Sequence, residues 1–255
     1  MAGFELKVAP LVLAAFATVA LAGPAQSGGR IATDFDQASF SDPTNIDNPY
    51  WPLVPGTTFI YAAEGVDECE VDIFEVSDQT KTVAGVEALV IFDTAYIDED
   101  CDGSGDIRAE ITQDWHAQDD DGNIWYLGED TKSCDETGTV CEDPAGSWEA
   151  GVDGAVAGII MLAHPRNGDF YYQEFFEGEA EDQAKVLRLN TRVVLKRDDA
   201  IDPGRFTRCL KTKEWSQLAP GHVEQKYYCP EIGLVAVDEH RGKLLRFELV
   251  DIVSE

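Results

Sequence analysis

The sequence predicts an all-β protein, mainly antiparallel and stapled by disulfides, with at most one short helix. Three observations carry that reading. Apolar residues alternate with period two wherever a run is long enough to test it, turn-forming residues sit between the runs, and helical periodicity is nearly absent. The composition, 44% hydrophobic and 10% aromatic over 255 residues, suffices for a folded core.

Taken in order, residues 8 to 22 form one apolar run preceded by Lys7 and closed by the small residues Ala20 and Ala22. This pattern predicts a signal peptide over 1–22 and a secreted or periplasmic protein, since the run is short for a membrane span and no later stretch is apolar enough to cross a bilayer. Residues 23–47, rich in Ser, Gly, Asp and Ala, are expected to be a flexible leader. A single antiparallel β domain follows over 48–255.

In that domain Cys69, Val71 and Ile73 face one way while Glu70 and Asp72 face the other. Leu187, Leu189, Thr191, Val193 and Leu195 repeat the pattern, as do Leu245, Phe247 and Leu249. Further strands are expected at 57–63, 86–97, 107–118, 123–128, 169–176, 205–216, 222–229 and 232–238. Such stripes suit a sheet with one face wetted by water. Asp121-Gly122, Asp202-Pro203-Gly204 and Ala219-Pro220-Gly221 supply turns, and only 177–185 has the composition of a short helix. A curved sheet, a sandwich and an open barrel all satisfy this pattern.

The net charge of −30, from 19 basic and 49 acidic residues, excludes a generic nucleic-acid binder and disfavours anionic membranes. Six cysteines (Cys69, Cys101, Cys134, Cys141, Cys209, Cys229) in an exported chain read as disulfides. Fifteen pairings are possible, and strand geometry favours neighbours: 69 with 101, 134 with 141, 209 with 229. Zinc is a poor competitor, because there is no Cys-x-x-Cys pair and the four histidines lack matching spacings.

The most specific short motif is Asp98-Glu-Asp100-Cys-Asp102-Gly-Ser104-Gly-Asp106. Alternate carboxylates there can converge on one hard cation, with the Ser104 carbonyl as a further ligand, and an all-oxygen set suits Ca²⁺. An EF-hand would need Glu at the twelfth place, which holds Ala109; the loop more closely resembles the calcium hairpin loops of integrin-type β-propeller blades, over nine residues. A 69–101 disulfide would hold it against a neighbouring strand.

Two further acidic features bear on chemistry. If Asp121-Gly122 is a two-residue hairpin turn, Asp114 faces Glu129 and His116 faces Leu127; a 209–229 disulfide would place Glu214 opposite Glu224, with Lys226 diagonal to Glu214. Like charges directly across a ladder destabilise it unless a cation or a shared proton relieves them. Around 148–182, Glu149 and Glu174 sit among Trp148, Tyr171, Tyr172, Phe175 and Phe176, a mixture that suits either a sugar-binding cleft or a packed core. Asp114, Glu129, Glu149 and Glu174 are therefore the candidate catalytic residues. There is no Gly-x-Ser-x-Gly elbow, P-loop, His-Glu-x-x-His or dinucleotide fingerprint. Among the histidines, His116 is the one placed to have a role, whereas His164 and His222 are expected in exposed loops.

Asn48-Pro-Tyr-Trp-Pro-Leu-Val-Pro-Gly-Thr-Thr, Asp114-Trp-His-Ala-Gln-Asp, Gly122-Asn-Ile-Trp-Tyr-Leu-Gly-Glu129-Asp, Gly146-Ser-Trp-Glu-Ala-Gly-Val-Asp-Gly and Lys226-Tyr-Tyr-Cys-Pro-Glu-Ile-Gly-Leu-Val resemble segments of an uncharacterised group of exported bacterial β-rich proteins. The likeness runs over residues 48–250 and implies export and one domain, with no mechanism. The aspartate-rich loop is an addition to the group's pattern, so a calcium site there would be a local feature. Together these readings favour an exported binding protein with Ca²⁺ in the 98–106 loop, its organic ligand a small molecule or oligosaccharide. The rivals are a carboxylate-based hydrolase or lyase acting on a polysaccharide, and an acidic structural protein of the envelope or matrix.

Overall fold

The computed structural model describes residues 29–65, 69–143, 146–242 and 244–254. The expected signal peptide, 1–22, lies outside the described residues. Among the described residues fifteen strands follow one another: β1 (Thr57–Glu64), β2 (Cys69–Val83), β3 (Val86–Asp98), β4 (Ile107–Gln118), β5 (Ile124–Cys134), β6 (Cys141–Asp143), β7 (Trp148–Glu149), β8 (Val156–Met161), β9 (Phe170–Tyr172), β10 (Glu174–Phe175), β11 (Asp182–Val194), β12 (Arg205–Ser216), β13 (Val223–Cys229), β14 (Gly233–His240) and β15 (Leu244–Ser254). The one helical element among the described residues is a single 3-10 turn, Phe35–Gln37.

The expected helix over 177–185 is absent. Gly178 takes φ +79°, and a turn closed by mutual backbone hydrogen bonds between Phe176 and Ala180 leads straight into β11. A glycine in the left-handed region stops a helix there, while Gln183 and Ala184 pair with strands on both sides.

Every neighbouring pair of strands is antiparallel, in the order β10-β8-β5-β4-β3-β2-β1-β15-β14-β13-β12-β11-β9, with β6 and β7 also on β5. Its two end strands, β9 and β10, are consecutive in the chain with only Gln173 between them. One short segment thus pairs with β11 by its first half and with β8 by its second, so the sheet nearly closes into a barrel. At this seam the backbones approach closely: a Cβ on Gly158 would lie 2.3 Å from the carbonyl carbon and oxygen of Gln173. Closure removes the open edges that invite pairing with other chains.

The enclosed face has two zones. In one, Ile46, Trp51 and Leu53 are buried against the sheet, and the Trp51 ring meets Phe74 and Tyr228 edge-on, each at 5.4 Å. A fully buried side chain of this size contributes roughly 2–3 kcal/mol. In the other, which adjoins it, the enclosed face is acidic, which corrects the expectation of a wet polar face. Glu70 and Asp72 are 7% and 2% exposed, as buried as Cys69 and Val71 beside them. Period-two alternation separates two faces; it does not say which is enclosed, and along 69–72 both are covered.

Two other expectations change. From Ile31 on, the supposed leader packs on the domain: Ile31, Phe35, Ala38 and Phe40 contact the core, Phe35 meets Trp125 at 5.3 Å, and Ser41 bonds Asp120. In β11, three register shifts against β12 break the simple stripe, so Leu187 turns outward at 39% exposed while Val186, Val193 and Leu195 are buried. All three disulfides join the expected neighbours, Cys69–Cys101, Cys134–Cys141 and Cys209–Cys229.

Candidate functional site

Strand pairing brings several of the sequence-predicted carboxylates together inside the barrel. Asp114 on β4 faces Glu129 on β5 as expected, although the hairpin is not a two-residue turn. Residues 119–123 form a longer loop, with Asp119 accepting from the backbone N–H of Asp121 and Asn123 and from the indole of Trp125. That loop moves the register by one, so His116 faces Tyr126 rather than Leu127; a bulge opposite Trp115 then moves it back. Gly128 lies in the bulge at φ +140°, where a Cβ would meet the Trp148 carbonyl oxygen at 2.4 Å.

The Tyr126 hydroxyl bridges the pair, meeting Asp114 Oδ1 and, at 2.9 Å, Glu129 Oε2. One hydroxyl carries one proton, so both contacts are hydrogen bonds only if one carboxyl is protonated and donates to the tyrosine oxygen. Burial, with Asp93 adding repulsion, pushes Asp114 up to about 8. Burial, followed by the charges of Glu174 and Asp114, raises Glu129 well above the carboxylate range. The same cause acts around the ring: burial takes Glu110 to about 8 and Asp72 to about 6, and raises Asp93, which shares a hydrogen bond with Asp72.

Glu174, on β10 at the seam, accepts from the Trp148 indole at 2.8 Å, and burial pushes it up to about 8. Its neighbour Asp182 is raised by burial and then by Glu174 and Glu224. Glu149 does not join this group. It is half-exposed and paired with Lys81 at 2.8 Å, whose ammonium lies 3.1 Å from the centre of the Trp115 ring.

Glu214 and Glu224 face each other across β12 and β13 as predicted. Lys226 relieves them, with its Nζ 3.0 Å from Glu214 Oε2 and 3.0 Å from Glu224 Oε2. Thr212, Tyr228 and Gln173 also donate to Glu214. Burial opposes the charge on Lys226, yet the two glutamates outweigh it and hold its pKa well above the ordinary lysine value. The field of this ammonium reaches Asp72, Asp93, Asp114, Glu174 and Asp182, on strands right round the sheet.

The second acidic place is the loop joining β3 to β4. One carboxylate oxygen from each of Asp98, Asp100 and Asp106 lies within 4.8 Å of the others. Asp98 is buried and accepts from the backbone N–H of Asp102 and Gly103, while Asp106 accepts from Glu99. Asp102 turns to cap Ser104 instead, so those two residues stand outside the trio. Cys101, at φ +59°, ties the loop to Cys69 on β2. Repulsion from Asp102, then burial and Asp106, raises the Asp100 carboxyl.

His116 is a core residue, 3% exposed and beside Tyr126 at 5.0 Å; burial takes it down to about 3, so it is neutral, and its Nδ1 has no partner. His222, expected in an exposed loop, is half-buried instead. Its Nε2 lies 2.6 Å from Glu239 Oε1 and 3.8 Å from Glu224 Oε1. Sequence reasoning missed the roles of Asp72, Asp93, Glu110, Asp182 and Glu239. For Asp72 the signal was its spacing of two from Glu70, which marks a shared face but not that the face is enclosed; Asp93, Glu110, Asp182 and Glu239 carry no such pattern.

Fold and site together define a disulfide-stapled antiparallel β-barrel with a carboxylate-rich interior held around one lysine. No family model and no curated protein matches the chain. Two solved structures are similar in outline: a protein from Bacteroides fragilis described as exported with a YmcC-like fold (16% identity, 80% of this chain and 99% of that one, TM-score 0.41), and one from Parabacteroides distasonis described as a lipoprotein (11% identity, 81% and 99%, TM-score 0.39). No helix among the described residues is long and apolar enough to cross a membrane.

Proposed function

We propose that this is an exported binding protein whose β3–β4 loop takes Ca²⁺. The observation that carries the reading is the convergence of Asp98, Asp100 and Asp106 oxygens within 4.8 Å on a loop held by the Cys69–Cys101 disulfide. Hard oxygen ligands from a short turn are what calcium uses, with backbone carbonyls and water completing its shell of six to eight. Three disulfides support export, since such bonds persist in oxidising compartments.

The test is a melt of the oxidised protein in EDTA and in calcium at matched ionic strength, with magnesium as the control for screening. A ligand that binds only the folded state stabilises it by RT ln(1 + [L]/Kd). Calcium should raise the transition more than magnesium, and Asp100→Asn with Asp102→Asn should remove the difference. Equal melts in calcium and EDTA would overturn the reading.

A second reading is favoured by the Asp114–Tyr126–Glu129 bridge, two buried carboxyls of raised pKa joined through one hydroxyl, an arrangement that can hold and release a proton as general acid/base chemistry requires. Hydrolysis or lysis of a polysaccharide that disappears in Glu129→Gln, with the fold intact, would establish it. Glu149, paired with Lys81 outside this group, is not expected to matter to that activity.

A further inference from the structure

A separate group of ligands stands where the acidic interior meets solvent, at the end of the β13–β14 hairpin. His222 and Glu224 are two residues apart, and the period of a strand puts them on one face. Glu239 comes alongside because β14 pairs Glu224 with Glu239 directly. One atom from each, His222 Nε2 and one oxygen from each glutamate, lies within 4.8 Å of the other two. We propose that these three side chains form a binding site for a divalent transition-metal ion of the zinc class.

Geometry, an unmet bond, space and charge each support the site. In a tetrahedral shell with bonds of about 2.1 Å, ligand atoms lie about 3.4 Å apart; His222 Nε2 is 3.8 Å from Glu224 Oε1, close to that value, and 2.6 Å from Glu239 Oε1 in a hydrogen bond whose proton an ion would displace. Glu224 is 4% exposed, yet its Oε1, the atom turned towards His222, has no hydrogen-bond partner. A buried carboxylate oxygen without a partner is costly and marks a place where something else binds. Beside it lies a cavity of about 10 Å³ lined by Asp182, Glu214, Trp215, Ser216, His222 and Glu224, room for one water-sized fourth ligand.

The remaining oxygens are already oriented. Lys226 holds Glu224 Oε2 at 3.0 Å, and the guanidinium of Arg241 holds both oxygens of Glu239, its Nη2 on Oε2 at 2.6 Å and its Nε on Oε1. Partners behind the ligands fix their direction, and Glu224 Oε1 is the facing atom left for the ion. An imidazole with two carboxylates suits zinc-like ions better than calcium, which prefers an all-oxygen shell. The site therefore differs from the β3–β4 loop in both ligands and ion, and stands whether or not that loop binds calcium.

The test uses the full oxidised protein, stripped with EDTA and titrated with Zn²⁺ by calorimetry and with Co²⁺ by visible absorption. The expected result is one equivalent bound and a cobalt d–d spectrum diagnostic of low coordination with nitrogen present. His222→Gln should weaken zinc binding by at least about tenfold, since losing even an outer partner of a ligand costs that much, and Asp100→Asn should not. Glu224→Gln, which keeps the shape of the side chain, serves as the second variant if His222→Gln fails to fold. No zinc heat above the magnesium control, or an affinity unchanged in both variants, would overturn the proposal.

Discussion

Lowering the pH from about 7.5 to about 5.5 is expected to raise the melting temperature, because folding takes up protons. Glu110, Asp114 and Glu174 are pushed up to about 8 in the barrel, each by burial first. In an unfolded chain their ordinary values are 4.5, 3.8 and 4.5. A carboxyl raised on folding contributes most below its unfolded pKa, and the contribution is lost as pH rises towards its folded pKa. Each such group changes stability by about 1.4 kcal/mol per pH unit across that window. These groups share one field with Asp93, Glu129 and Lys226 and do not act independently. Taking a single net proton as the lower bound gives about 2.7 kcal/mol over two pH units, a rise of about 5–11 °C for a domain of this size.

Scanning calorimetry across that range, in high salt to screen the global charge of −30, is the assay. His222, raised chiefly by its bond to Glu239, acts in the same direction, so the wild-type slope alone does not isolate the interior. Asp114→Asn does, because an amide needs no proton, and it should flatten the slope by about 1.4 kcal/mol per pH unit. A melting temperature that is level or falls as the pH drops, or a slope unchanged in Asp114→Asn, would refute the reasoning.

Two further perturbations probe the seam and the lysine. Gly158→Ala places a Cβ 2.3 Å from the Gln173 backbone, which cannot yield without opening the β8–β10 pairing; we expect a loss of about 3 kcal/mol or more by urea denaturation, and a native midpoint would show that the seam is not tight. Lys226→Met strands Glu214 and Glu224 without their shared cation, at about 3–5 kcal/mol. Adding Glu214→Gln and Glu224→Gln should restore most of that loss, and a triple variant as unstable as the single one would contradict the charge argument.

Much of the fold was legible in the chain because its causes are local. Alternation in β1, β3, β4 and β12 marked the strands nearly to the residue, and all three disulfides join the neighbours that strand geometry favoured. The Asp114–Glu129 pairing was also foreseen, but by two cancelling shifts: the 119–123 loop moved the register by one and the bulge at Gly128 moved it back. Gly178 shows the opposite case. Its neighbours have helical composition, and one residue at positive φ, with pairing partners on two sides, overrode them.

By itself the sequence determined most of the strands, the excess of negative charge and an acidic turn at 98–106, and it favoured the disulfide partners without fixing them, since each follows from residue type and spacing along a few residues. Only the tertiary structure decided that the sheet curls until β9 and β10 meet as its two ends, because closure depends on twist accumulated over all the strands. That closure put Asp72, Asp93, Glu110 and Asp182 inside rather than in water and gathered all but Glu110 round Lys226, while the β13–β14 pairing brought Glu239 to His222 and Glu224. Burial in a low dielectric then raised carboxyls that the sequence alone would leave ionised, which no pattern of residues along a strand can reveal.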